Sequence, residues 1–278
     1  MTSNIDTKLN DLRERAVSIR RGALRALYAA GSGHVGASMS AADLLAGLYF
    51  HRLRFRPEEP DWQERDRFVL SKGHANAALV ATLAEAGFFN LSGLDTFNDF
   101  ESEIAMHPDI KLAGIEMCTG ALGHGLPVAV GMAMGAKLQA RKFETFVMLG
   151  DGELQEGSNW EAVMFAAHHQ LSNLTAIVDF NKVQQSARVA ETLSLDSLAD
   201  KWRAFGWAVR EIDGHEMSEV ILALDALPFN TDQPSTLIAH TVKGKGLSFA
   251  EDTYKWHSNM VGEDIYRAAL KELGDPSE

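Results

Sequence analysis

Five short apolar runs, separated by segments of helical periodicity, constrain this 278-residue chain more than any other feature. They are "RFVLSKGHA", "TFVML", "LTAIVDFN", "WAVREID" and "STLIAHTVKG". Strands that alternate with helices return to the sheet by crossovers, so the expected fold is α/β, with a mostly parallel sheet covered by helices on both faces. No internal repeat, low-complexity tract or linker divides the chain, and residues 1–278 read as a single domain. An apolar fraction of 46% and a charged fraction of 23% suit a folded core of that size.

Between the strands, Leu12, Ala16, Ile19, Ala23 and Leu27 mark a helix from Leu9 to Ala29. "SAAD", starting at Ser40, resembles a capping box and predicts a second helix there. "NAALVATLAEAGFF" and "LPVAVGMAMGAKLQA" follow as helices, and Gly131 and Gly135 in the latter would let another backbone approach closely. A helix from Asn159 to Leu171 is expected to bury Trp160, Val163, Met164, Ala167 and Leu171. Residues 90–125 show little periodicity, and loops of that length in compact domains are usually functional or mobile.

Lys and Arg total 26 against 38 Asp and Glu, a net charge of −12. That balance disfavours nucleic acid and anionic membranes, both of which recruit basic patches. No apolar run approaches the roughly 20 residues of a membrane span. The N-terminus mixes both signs of charge, unlike a signal peptide. The single cysteine, Cys118, excludes an internal disulfide, fits a reducing compartment and reads as a small buried apolar residue. A cytoplasmic location is expected.

The chemistry concentrates at strand ends. In "VMLGDGELQEG" an apolar strand stops at Asp151 between two glycines, where the backbone can turn sharply and approach a ligand. Asn181 follows the next strand, in "VDFNKV", so both side chains project from the same edge of the sheet, where such folds bind ligands. With a backbone carbonyl such as that of Val183 they make a set of hard oxygen donors. Mg2+ takes about six such ligands, commonly completed by phosphate oxygens and water. Glycine amides and a helix N-terminus favour an anion at the same place. The plainer alternative is a helix cap at Asp151 and a turn at Asn181. Five of the ten histidines (His34, His74, His107, His124 and His257) stand in loop or glycine-rich contexts. They are too scattered for a zinc motif and suit hydrogen bonding and proton exchange with a polyhydroxylated substrate. His51, His168, His169, His215 and His240 read as ordinary polar residues.

"SGHVGASMSAADLL", "RFVLSKGHA", "TGALGHGLPVAVGMA", "GDGELQEGSNWEA", "VDFNKVQQS" and "HTVKGKGLSFAEDTYKWHS" together resemble the N-terminal, diphosphate-binding part of the transketolase family, in family order and over nearly the whole chain. The resemblance implies thiamin diphosphate held through Mg2+ or another divalent cation such as Ca2+ or Mn2+. It implies metal ligation by Asp151, Asn181 and the Val183 carbonyl. Diphosphate contacts would come from Gly150, Gly152, His74 and Lys243, and contacts to the cofactor rings from Gly120, Ala121 and Leu122. His34, His107 and His257 would address substrate hydroxyls and, with His74, assist proton transfer. Glu156 matches a glutamate near the subunit interface, and Glu161 is similarly placed. The plainer alternative for Glu156 is an acidic residue early in a helix. His124 stands where many members have glutamine, and Ala37 where some have serine.

A full transketolase continues into a pyrimidine-binding and a C-terminal domain. The resemblance therefore implies the N-terminal subunit of a two-chain transketolase, transferring a two-carbon ketol unit from a ketose to an aldose, phosphorylated or not. A separate C-terminal subunit would carry the pyrimidine-binding domain, in an α2β2 assembly with self-association. Alternatives are a deoxyxylulose-phosphate synthase fragment, the thiamin-binding subunit of a 2-oxo acid dehydrogenase, a non-catalytic module that keeps the cofactor fold, and a metal phosphohydrolase using Asp151. The last lacks the further carboxylates it would need.

Overall fold

A computed structural model describes residues 2–275; the expected domain limits at 1 and 278 lie outside the described residues. In chain order the elements are α1 (Thr2–Ala29), β1 (Ser32–Gly33), α2 (Val35–Gly47), β2 (Arg67–Leu70), α3 (Asn76–Glu85), α4 (Gly125–Leu138), β3 (Thr145–Gly150), α5 (Gly157–His168), β4 (Leu174–Phe180), α6 (Val189–Thr192), α7 (Leu198–Ala204), β5 (Ala208–Asp213), α8 (Met217–Asp225), β6 (Ser235–His240), β7 (Asn259–Met260) and α9 (Glu263–Glu272). The five predicted strands form one sheet in the order β2-β3-β4-β6-β5, and every neighbouring pair is parallel.

Alternation along the strands divides the core. Phe146 and Met148 of β3 point into a cluster with Leu24, Leu45, Leu79 and Leu224, from α1, α2, α3 and α8. Val147 and Leu149 point the other way, toward Val130, Val163 and Trp202 of α4, α5 and α7. The central strand runs are apolar at nearly every position because both faces are covered. Since the strands are parallel, the residues that leave β2, β3, β4 and β6 all emerge at one edge. Lys72, Asp151, Asn181 and Lys243 are those residues.

Three expectations are corrected. Helix α2 begins at Val35, and Ser40 lies inside it, buried, donating to the Ala37 carbonyl (3.2 Å) and to Asp179 Oδ2 (2.6 Å). A serine that answers a buried carboxylate has no need to cap. Helix α5 buries Asn159, Ala162, Val163 and Ala166, whereas Met164 is 50% exposed. Periodicity gives a stripe, but the sheet decides which side of it is covered. Cys118 is exposed on the long loop, its Sγ 3.8 Å from Asp109 Oδ1. A Cβ added at Gly131 or Gly135 would meet nothing within 4 Å among the described residues, so any close approach along α4 comes from outside them. Among the described residues no helix is long and apolar enough to cross a membrane.

Candidate active site

The strand-edge residues and four of the loop histidines open onto one cavity of about 370 Å3. Every residue expected to hold metal, cofactor or substrate lines it except Ala121 and His124. Asp151 and Asn181 are both buried at its floor. Both also fill the plainer role. Asp151 Oδ1 accepts from the Gly152 amide at 2.8 Å, and Asn181 Oδ1 accepts from the Val183 amide at 3.1 Å. Asp151 Oδ2 accepts from the Lys182 amide. A carboxylate oxygen carries two lone pairs, so these bonds fix the groups and leave acceptor capacity. Burial and the neighbouring Asp179 charge push the Asp151 carboxyl up to about 6, against the pull of the two amides. A site that makes ionisation costly is one that a cation would relieve.

His34 stands at the centre of the histidines. Its ring lies 5.4 Å from His74, 6.0 Å from His107 and 5.3 Å from His257, centroid to centroid. Burial, then His107 and Lys243, lower His34 to about 4. Burial, then Lys243 and His34, lower His257 to about 3. Burial alone lowers His107, and burial with Lys72 takes His74 well below its ordinary value. All four imidazoles are therefore neutral at pH 7 and can both donate and accept. The Lys243 ammonium donates to His257 Nδ1 (2.9 Å), which places the ring hydrogen on Nε2. His34 Nδ1 is buried without a hydrogen-bond partner, a polar atom waiting for a ligand. His124 lies outside the cavity, its Nδ1 3.0 Å from the Leu122 carbonyl oxygen.

The histidines read as ordinary do have ordinary partners. His215 Nδ1 meets Asp43 Oδ2 at 2.7 Å while Nε2 accepts from the Val242 amide at 2.8 Å. His51 pairs with Asp225, and His240 with Glu211. His168 and His169 sit side by side at the end of α5.

Sequence reasoning missed the supports. Asp179, fully buried, receives Ser40 at 2.6 Å, and also Lys72 and Thr241, so it ties α2 to the ends of β2 and β6 beneath the cavity. Burial alone would raise its carboxyl, but the Lys72 charge and these hydrogen bonds hold it below the usual range. Glu153, also buried, gathers the Ser71 hydroxyl, the Gly123 amide (3.0 Å) and the Gly150 amide (3.2 Å). Gln155 donates to Gln184 Oε1 at 2.9 Å across the cavity wall. The available signal was polar residues inside otherwise apolar strand runs, as at Asp179 in "LTAIVDFN".

Residues 12–278 match the family profile described as "Transketolase, thiamine diphosphate binding domain". The chain belongs to the transketolase family. It is 42% identical over 259 residues to an apulose-4-phosphate transketolase subunit of Phocaeicola vulgatus, covering 93% of this chain and 92% of that one. It is also 42% identical over 264 residues to the 6-deoxy-6-sulfo-D-fructose transketolase subunit of Clostridium sp. strain MSTE9, covering 95% and 96%. Human transketolase is 38% identical over 267 residues, 96% of this chain but 42% of its own length. The crystal structure of Campylobacter jejuni transketolase superposes with a TM-score of 0.89 at 33% identity, over 95% of this chain and 42% of that one. This transketolase-family chain thus spans less than half of the longer relatives and nearly all of the relatives named as subunits.

Proposed function

We propose that this chain is the thiamin diphosphate-binding, N-terminal subunit of a two-chain transketolase, folded as one domain and working in the cytoplasm. In this reading Asp151, Asn181 and the Val183 carbonyl ligate Mg2+ or a similar divalent cation, and Gly150, Gly152, His74 and Lys243 receive the diphosphate. The observation that carries it is the convergence of buried oxygen donors with four neutral imidazoles, one holding an orphaned nitrogen, on a single cavity. Oxygen donors fit a hard cation, and the lysine and glycine amides fit an anion tethered to it. Thiamin diphosphate, when bound, supplies the electron sink for carbon–carbon bond cleavage.

The remaining work belongs to side chains of this chain. Gly120 and Leu122, which line the cavity, pack the cofactor rings. His34, His107 and His257 orient substrate hydroxyls and move protons, which neutral imidazoles do in either direction. A two-carbon ketol unit passes from a ketose to an aldose. Among the described residues no arginine lines the cavity, and in this reading the other chain completes the substrate pocket. That chain brings the pyrimidine-binding domain.

An α2β2 assembly is supported by uncovered surface on α4 and α5: a Cβ at Gly131 or Gly135 would meet nothing within 4 Å among the described residues, and Leu138, Met164 and Phe165 are exposed. Glu156 and Glu161 are exposed residues of the same region. The test is ketol transfer, with ketose donor and aldose acceptor, by each chain alone and by the mixture. Turnover only in the mixture supports the reading. Robust turnover by this chain alone refutes the split enzyme, and carbon dioxide release points to the synthase or oxo acid alternatives.

A further inference from the structure

One carbonyl of the proposed cation site already has a cation on it. Lys243 Nζ donates to the Val183 carbonyl at 2.9 Å, to the Gln184 carbonyl at 3.3 Å and to His257 Nδ1 at 2.9 Å. Three acceptors consume the three hydrogens of an ammonium, so the group is fully satisfied where it stands. Its stem is equally fixed. The side chain is buried and runs past Gly36, where an added Cβ would fall 2.9 Å from Lys243 Cγ and 3.1 Å from the Trp256 carbonyl oxygen. The Lys243 carbonyl accepts from the Asp252 amide (2.8 Å), and the adjoining Val242 amide is held by His215.

We infer that Lys243 is a resident placeholder cation whose ammonium must leave the Val183 carbonyl before a divalent cation binds, so that the metal and the diphosphate enter as a coupled pair. The inference rests on the metal–diphosphate reading of this cavity. A Mg2+ or Mn2+ ion sits about 2.1 Å from a ligand oxygen, so sharing the Val183 carbonyl would put it no more than about 5 Å from the ammonium. Two cations that close in a buried site repel strongly. The diphosphate resolves the conflict by giving the displaced ammonium an anion to face. Released from Lys243, His257 Nδ1 becomes free to accept, so filling the site also changes what that imidazole offers a substrate.

The experiment measures Mn2+ binding by paramagnetic resonance at fixed free Mn2+, with and without inorganic pyrophosphate, on the full chain and on Lys243→Met and Lys243→Gln. The expected result has opposite signs. Lys243→Met binds Mn2+ alone at least tenfold more tightly than the unsubstituted chain, yet binds pyrophosphate more weakly, and its Mn2+–pyrophosphate coupling shrinks. Lys243→Gln, which keeps a neutral donor for the carbonyl, shifts the same way by less. A merely structural lysine would weaken both ligands together, and that result overturns the inference. So does an unsubstituted chain that binds Mn2+ equally well with and without pyrophosphate. Failure of the underlying site reading looks different: Asp151→Ala would then leave Mn2+–pyrophosphate binding unchanged.

Discussion

Replacing Asp151 by asparagine should make the metal-free fold less sensitive to pH. The carboxyl is buried, with Asp179 nearby, and its value rises from 3.8 to about 6. A raised value means that the folded state holds the proton more tightly than the unfolded state. The associated stability is fully present below pH 3.8 and is lost as the pH rises through about 6. The shift of about two units amounts to roughly 3 kcal/mol, at about 1.4 kcal/mol per unit. About half of this is lost between pH 5 and pH 8. Asparagine cannot ionise, so it escapes that loss. It does lose one acceptor, either for the Lys182 or the Gly152 amide, at a pH-independent cost of about 1–3 kcal/mol. The assay is urea denaturation of EDTA-treated protein at pH 5, 6, 7 and 8. Stability of the variant minus that of the unsubstituted chain should rise by about 1–2 kcal/mol across the series. Mg2+ with thiamin diphosphate should abolish the slope, because a bound cation removes the penalty of ionisation. A difference that stays flat from pH 5 to pH 8 refutes the argument.

Two further perturbations test the frame. Asp179→Asn strands the buried Lys72 ammonium without its counter-ion and should cost about 3–5 kcal/mol, roughly 10 °C in Tm by calorimetry; a loss under about 3 °C would show that the pair is not the tie described. Gly125→Ala places a Cβ 2.4 Å from Ser71 Oγ and 2.7 Å from Ser71 Cα, and because the backbone cannot yield cheaply it should destabilise by about 1–3 kcal/mol in urea.

How much of this was legible in the chain differs by residue. Asp151 and Asn181 could be picked out because each follows an apolar strand one βα unit after the other, and parallel strands deliver their ends to one edge. His34, His74, His107 and His257 could be suspected from their loop contexts, but His124 looked the same in sequence and lies outside the cavity. Ser40 and the stripe of α5 were misread because capping patterns and periodicity describe a helix in isolation, while burial depends on what lies against it. Cys118 was misjudged for the same reason: composition says that cysteines are usually buried, and only the path of the loop put this one outside.

The sequence by itself determined the alternation of strands and helices, the parallel sheet, and the strand ends at which chemistry could collect, since these follow from local periodicity and from glycine's backbone freedom. Only the tertiary structure decided that His34 sits among three other imidazoles, that Asp179 underpins the site through Lys72, Ser40 and Thr241, and that the Lys243 ammonium occupies the Val183 carbonyl. Those contacts join residues dozens to more than a hundred positions apart, and their charges take their values from burial. Neither distance nor dielectric is written in the order of the residues.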